Sequence, residues 1–147
     1  TLIEAKVMAR YSQGNLGRVL NVEEKDLLSQ RDRFIERMQR WDLRNMGSIF
    51  EVSEGFAKNT YDSIEFVEFL VTWNRDLISV KLRGEKGMLT HADKIPELIE
   101  ESRRKDLTDL LNHADILEEA LRRLRMNINQ RLALETALIR MGKETVG

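Results

Sequence analysis

The sequence predicts an all-α fold, a helical bundle of seven or eight helices. Charged residues make up 33% of the 147 residues, whereas an average domain has about 25%. The chain has one proline and eight glycines, too few for the many turns of a β-sandwich. Apolar residues recur at spacings of three and four, and the Val and Ile runs of a parallel sheet are missing. Helices are therefore expected throughout.

Residues that start or end helices separate eight segments of helical periodicity. Gly14 and Gly84 are expected to end two helices, and Gly142 the last one. Pro96 suits a first helical turn, and Asn129 suits an N-cap. The predicted helices are, in chain order, Leu2–Tyr11 and residues 15–20, 23–40, 45–58, 62–83, 95–103, 106–126 and 130–141.

The charge balance and the residue usage exclude several classes of protein. Lys and Arg number 24 and Asp and Glu 25, a net charge of −1, which leaves no excess for a non-specific polyanion binder or a membrane-surface binder. The absence of cysteine excludes disulfides and thiolate chemistry and favours a reducing compartment, the cytoplasm. No segment approaches the ~20 apolar residues of a membrane span, so no membrane partner is expected.

The polar residues predict no catalytic site and no metal site. His91 and His113 have no carboxylate at ligand spacing on a helical face, so both are expected at the surface or at helix caps. Trp73 is expected to pack in the core, and an ion pair between Arg75 and Asp76 would orient its helix. This chain alone is therefore not expected to be an enzyme.

Four stretches of the chain resemble clamp-loader AAA+ subunits. Residues 9–20 look like the sensor-2 helix that ends the AAA+ lid. Residues 73–78 match the collar pattern Trp-x-Arg-Asp-Leu-Leu, and residues 90–93 stand where the family has an Asn-x-Asp turn. Residues 127–135 are similar to the last collar helix, although Gln130 replaces a frequent proline and His91 the usual asparagine. Together they resemble the C-terminal region of the delta-prime subunits of bacterial DNA polymerase III.

This resemblance implies the end of an AAA+ lid in residues 1–22 and a helical collar domain in residues 23–147. The partners would be other clamp-loader subunits, gamma/tau and delta, with the sliding clamp and primed DNA reached through the whole assembly. Arg18 is the sensor-2-like candidate for contact with nucleotide. The chain itself would carry no cofactor, since ATP would need an AAA+ core upstream of Thr1. The candidate subunit-interface residues are Trp73, Leu134, Leu138 and Met141.

Two alternatives stay open. Within the family, the chain resembles the collar of a gamma/tau-type or a delta-type subunit as well. Outside it, a stand-alone helical-bundle enzyme or ligand binder would show an apolar pocket with converging charged residues. For any of the clamp-loader types, the resemblance implies that the whole subunit belongs to the DNA polymerase III holoenzyme.

Overall fold

A computed structural model describes residues 2–11, 24–57, 60–84, 87–126 and 129–143 of the chain. These ranges contain seven α-helices, one 3₁₀ turn at Ala92–Lys94 and no strand, which confirms the all-α prediction. The helix predicted over residues 15–20 lies outside them. The helices are α1 (Leu2–Tyr11), α2 (Glu24–Arg40), α3 (Met46–Ala57), α4 (Thr60–Arg83), α5 (Ile95–Arg104), α6 (Leu107–Arg125) and α7 (Gln130–Lys143).

Local signals set several helix ends. The Asn45 side chain accepts a hydrogen bond from the backbone N–H of Ser48, at 3.1 Å, and so caps α3. Asn129 caps α7 in the same way, since its Oδ1 lies 3.2 Å from the backbone nitrogen of Leu132. Pro96 lies in the first turn of α5. Gly84 follows α4 with φ at +64°, a conformation that favours glycine. The signals at Asn129, Pro96 and Gly84 were predicted correctly, whereas the cap at Asn45 was not predicted.

Gly142 does not end the last helix, contrary to the sequence-based prediction. Helix α7 runs through it to Lys143. The Cα of Gly142 lies against the backbone of Leu43, and a Cβ added there would overlap with the Leu43 carbonyl oxygen. Glycine is present at this position because the end of α7 approaches the segment before α3 closely.

Helix α4 lies at the centre of the bundle. It contacts α2, α3, α5, α6 and α7, while α7 also packs against α3 and α6. Helix α1 packs on α2 and on the 3₁₀ turn. Among the helices described, none is long and apolar enough to cross a membrane.

An aromatic cluster joins the first half of the bundle. Phe56 of α3 stacks on Phe66 of α4 with ring centroids 4.2 Å apart. Phe34 of α2 contacts both rings and also Phe69, at centroid distances of 5.3 to 5.8 Å. Each buried side chain of this size contributes about 1.5–3 kcal/mol through removal from water. The cluster therefore fixes α2 and α3 against α4.

Candidate functional site

The five residues predicted from sequence as site residues fall into two groups. Arg18 lies outside the described residues. The four candidate interface residues lie in the core, with exposed fractions of 2% for Trp73, 0% for Leu134 and Leu138 and 4% for Met141. Their side chains support the fold of the chain itself, and a role in subunit contact stays a prediction.

A buried polar cluster connects α2, α4 and the 3₁₀ turn. We call it the His91 cluster; it consists of Arg31, Thr72, Asp76, His91 and Asp93. Arg31, Asp76 and His91 are 1%, 2% and 0% exposed. The Arg31 guanidinium binds both carboxylate oxygens of Asp93, at 3.0 and 2.5 Å. This two-point contact holds the 3₁₀ turn against α2.

His91 belongs to a chain of hydrogen bonds in which each group donates to the next. Its Nδ1 lies 3.1 Å from Arg31 Nη1, and because a guanidinium only donates, Nδ1 accepts. Nε2 therefore carries the proton and donates to the Thr72 hydroxyl at 2.9 Å. That hydroxyl donates in turn to the Phe69 carbonyl oxygen at 2.8 Å. The neutral Nε2–H tautomer satisfies every partner in this chain.

Asp76 holds the backbone of the turn. Its two carboxylate oxygens accept the backbone N–H groups of Thr90 at 2.8 Å and His91 at 2.7 Å. Burial raises the pKa of Asp76 to about 6, against the lowering effect of these hydrogen bonds and of the Arg10 charge. The expected ion pair with Arg75 is wrong, since Arg75 is exposed and lies 3.7 Å from Glu118 instead.

Both histidines are buried, which corrects the expectation of a surface position, although His91 does stand at the N-cap position of the 3₁₀ turn, without a capping hydrogen bond from its side chain. Burial, and then the Arg31 charge, lowers the pKa of His91 to about 3, so its imidazole stays neutral. His113 is 2% exposed, and its Nε2 donates to the Met141 carbonyl oxygen at 3.0 Å. Each histidine joins two elements that are distant in sequence, which a periodicity argument does not detect.

Helix α1 is attached to the same cluster. The Tyr11 ring lies 5.5 Å from the His91 ring, centroid to centroid. The Arg10 guanidinium donates to the Leu89 carbonyl oxygen at 2.6 Å. One aromatic contact and one charged hydrogen bond therefore fix the end of α1 to the turn before α5.

The sequence contains a signal for this cluster that composition alone does not show. Arg31 stands four residues after Leu27 and three before Phe34, on the apolar face of α2, and Asp76 stands three after Trp73 on the buried face of α4. A charged residue on an apolar face indicates a buried partner, because an unpaired buried charge costs several kcal/mol.

The His91 cluster is built for structure. Its imidazole is neutral and enclosed, and its guanidinium is held by carboxylates on two sides, Asp93 and Asp32. No group of three or more His, Cys, Asp or Glu side chains in the described part of the chain could hold a metal ion. This arrangement joins α2 to α4 and to the 3₁₀ turn, with the Asp76 carboxylate buried and the Asp93 carboxylate held by Arg31.

The α3–α7 pair carries exposed apolar side chains. Ser53 of α3 donates to Glu135 of α7 at 2.9 Å, and with Gly142 against Leu43 this sets the two helices side by side in opposite directions. We define the α3–α7 surface by four residues of this pair. Met46, Phe50 and Leu132 are 46%, 43% and 57% exposed, and Ile139 is half-buried against the core. Exposed apolar residues on paired helices are typical of a protein–protein contact.

The described residues, with a buried polar cluster and exposed apolar side chains, define the class of all-α helical-bundle domains. Within that class, the model of the family "DNA polymerase III, delta subunit, C terminal" matches residues 25–143. The chain belongs to this family, a domain of the DNA polymerase III clamp-loader subunits. Comparison with curated proteins and with solved structures found no match.

Proposed function

We propose that this chain is the collar of a clamp-loader subunit of the delta-prime type. It binds sister subunits of the gamma/tau and delta types and so fixes the geometry of the ring in which ATP-driven opening of the sliding clamp takes place. Through that assembly it serves the loading of clamps on primed DNA, in the cytoplasm. ATP itself would be handled by AAA+ cores outside the chain, with Arg18 as the candidate nucleotide contact.

The observation that carries this proposal is the α3–α7 surface on a domain of this family. Burying Phe50 or Leu132 in a subunit contact would remove apolar surface from water at about 25 cal/mol per Å². A ring of collar domains requires contacts between neighbouring subunits. Amphipathic helices that expose some apolar side chains, in addition to those in the core of their own domain, can supply these contacts. The enclosed His91 cluster agrees with a rigid, non-catalytic role.

The delta-prime type is supported by the order of the motifs in residues 9–20, 73–78 and 127–135. A gamma/tau-type or a delta-type collar is the alternative within the family. The gene sequence upstream of Thr1 distinguishes the types. A degenerate nucleotide-binding loop with an arginine-finger motif would support delta-prime, and a complete P-loop would favour gamma/tau.

Assembly can be tested by multi-angle light scattering of the full-length subunit mixed with its sister loader subunits. Phe50→Glu places a charge on the α3–α7 surface and is expected to weaken complex formation by at least about tenfold. Leu111→Glu is the matched control, since Leu111 is 50% exposed on α6, outside the α3–α7 surface. Far-UV circular dichroism and thermal melting establish that both variants are folded.

Two results would contradict the proposal. The first is normal assembly of a subunit that lacks residues 23–147, with full clamp loading by the resulting complex. The second is an equal loss of assembly in the Phe50 and Leu111 variants, because the α3–α7 surface would then have no special part in the contact.

A further inference from the structure

A cleft of about 340 Å³ lies between α2 and α3, away from the His91 cluster. We call it the arginine cleft. Three arginines of α2 line it together with residues of α3 and with Trp41 from the connection between the two helices. Its lining consists of Arg33, Glu36, Arg37, Arg40, Trp41, Ser48, Glu51 and Val52. This volume is at the lower end of the ~300–1,000 Å³ of ligand pockets.

The arginines of the cleft differ in whether a carboxylate neutralises their charge. Arg40 forms an exposed ion pair with Glu36 at 3.6 Å. Arg37 lies over the Phe56 ring, with its guanidinium carbon 4.7 Å from the ring centroid, so its position is fixed without loss of charge. The structure gives Arg33 no hydrogen bond or ion pair with any described residue. Among the described residues, Arg33 and Arg37 thus have no carboxylate partner.

Two apolar side chains, Trp41 and Val52, also line the cleft. Trp41 is half-buried, and its ring meets the Phe66 ring edge-on with centroids 6.0 Å apart, which holds the indole in place. Val52 is 5% exposed at the base. A ligand that fills the cleft therefore meets a rigid aromatic surface within reach of the arginines.

We propose that the arginine cleft binds a short acidic peptide segment of a protein partner. A carboxylate of that segment pairs with Arg33 and Arg37, and a neighbouring apolar side chain packs on Trp41 and Val52. The planar fork of a guanidinium matches a carboxylate in two-point geometry. This binding site is additional to the assembly role proposed above, and only the residues of the cleft support it.

The charges of the lining favour a peptide over nucleic acid. Glu36 and Glu51 reduce three positive charges to a net of +1. A phosphate backbone carries a fixed charge at every nucleotide and would meet both carboxylates, whereas a peptide can place one carboxylate at Arg33 and Arg37 and turn its other acidic side chains away from Glu36 and Glu51. The whole chain, at a net charge of −1, adds no general attraction for a polyanion.

The chain contains its own reporter for this binding. It has two tryptophans, and Trp41 lines the cleft while Trp73 is buried with its indole N–H bound to Glu101 at 3.1 Å. In a ¹⁵N-labelled sample, titration with the peptide acetyl-Glu-Asp-Leu-Asp-Phe-amide is expected to shift the indole signal of Trp41 and to leave that of Trp73 in place.

Charge variants locate the contact. Arg33→Glu is expected to weaken binding of this peptide by about tenfold or more. Arg104→Glu on α5 makes the same change in net charge outside the cleft and is expected to bind as the unchanged chain does. Glu51→Gln removes a repelling carboxylate and is expected to tighten binding, a gain that a poorly folded protein cannot produce.

Several results would overturn the proposal. These are an unmoved Trp41 signal at millimolar peptide, equal binding of the matched peptide with Gln and Asn in place of its acids, or equal affinity in the Arg33 and Arg104 variants. Tighter binding of a short oligothymidylate, with the same dependence on Arg33, would assign the cleft to nucleic acid instead.

Discussion

The Arg31 guanidinium donates to the imidazole Nδ1 of His91 across 3.1 Å in the interior of the bundle. Its Nη2 reaches Asp93 on the same turn at 2.5 Å. One side chain of α2 therefore fixes both the tautomer of a buried histidine and the position of a carboxylate 62 residues further along the chain. The first predictions follow from this geometry.

Replacing Arg31 by methionine is expected to lower the free energy of unfolding by about 3 kcal/mol, because Asp93 and His91 lose their common donor in a buried site. Urea denaturation followed by circular dichroism measures this loss. Arg104→Met, at an exposed position of α5, should stay within about 0.5 kcal/mol of the unchanged chain. Equal stability of the two variants would mean that the cluster contributes nothing to folding.

Asp76 and His91 are expected to give opposite pH dependences. The native pKa of Asp76 is raised from 3.8 to about 6, so its folded state keeps a proton that the unfolded chain has released, and stability falls as the pH rises through this range. The native pKa of His91 is lowered from 6.5 to about 3, so the unfolded chain takes up a proton that the folded state refuses. That effect makes stability rise with pH. The contributions of Asp76 and His91 to the pH dependence of stability therefore nearly cancel between about pH 4 and pH 6.

Asp76→Asn is expected to remove the first of these effects. Relative to the unchanged chain, the variant should gain roughly 2–3 kcal/mol of unfolding free energy from about pH 4 to pH 6. His91→Gln should change in the opposite sense over the same range. Urea titrations at a series of pH values, with each variant compared to the unchanged chain, separate the two groups. Parallel pH profiles for both variants would contradict the assignment.

Gly142→Ala is expected to destabilise the chain by about 1–3 kcal/mol, since the added methyl group would overlap with backbone of Leu43. The same substitution at Gly47 in α3 meets only the capping oxygen of Asn45 at 3.1 Å, which has to give by a few tenths of an ångström, so it should cost less than about 1 kcal/mol. Thermal melting compares the two variants directly. A stable Gly142→Ala chain would show that the end of α7 can move away from α3.

Leu138→Ala and Leu132→Ala separate the core from the surface of α7. Leu138 is 0% exposed and Leu132 is 57% exposed, so the first should cost about 2–5 kcal/mol of stability and the second less than about 0.5. If Leu132→Ala then weakens subunit assembly at full stability, the contact lies on the α3–α7 surface. Loss of assembly only in the unstable variant would argue against that surface.

The sequence predicted helix positions well because their signals are local. Pro96, Gly84 and Asn129 each act within one turn of their own helix, and the end of α4 at Arg83 follows from the residue next to it. The buried roles of His91, His113 and Gly142 depend on elements 28 to 99 residues away, so no local pattern contains them. Helical periodicity does not predict the subunit type either, because the type depends on residues that do not determine the helical fold.

The one-way order of donors from Arg31 through His91 and Thr72 to the Phe69 carbonyl has a consequence for the uniqueness of the native state. A slip of α2 by one residue would turn Arg31 by about 100° and leave the imidazole without its donor, whereas a slip along a purely aliphatic contact exchanges one leucine for another. The polar chain therefore selects a single register of α2 on α4, and misaligned packings of the same helices are penalised.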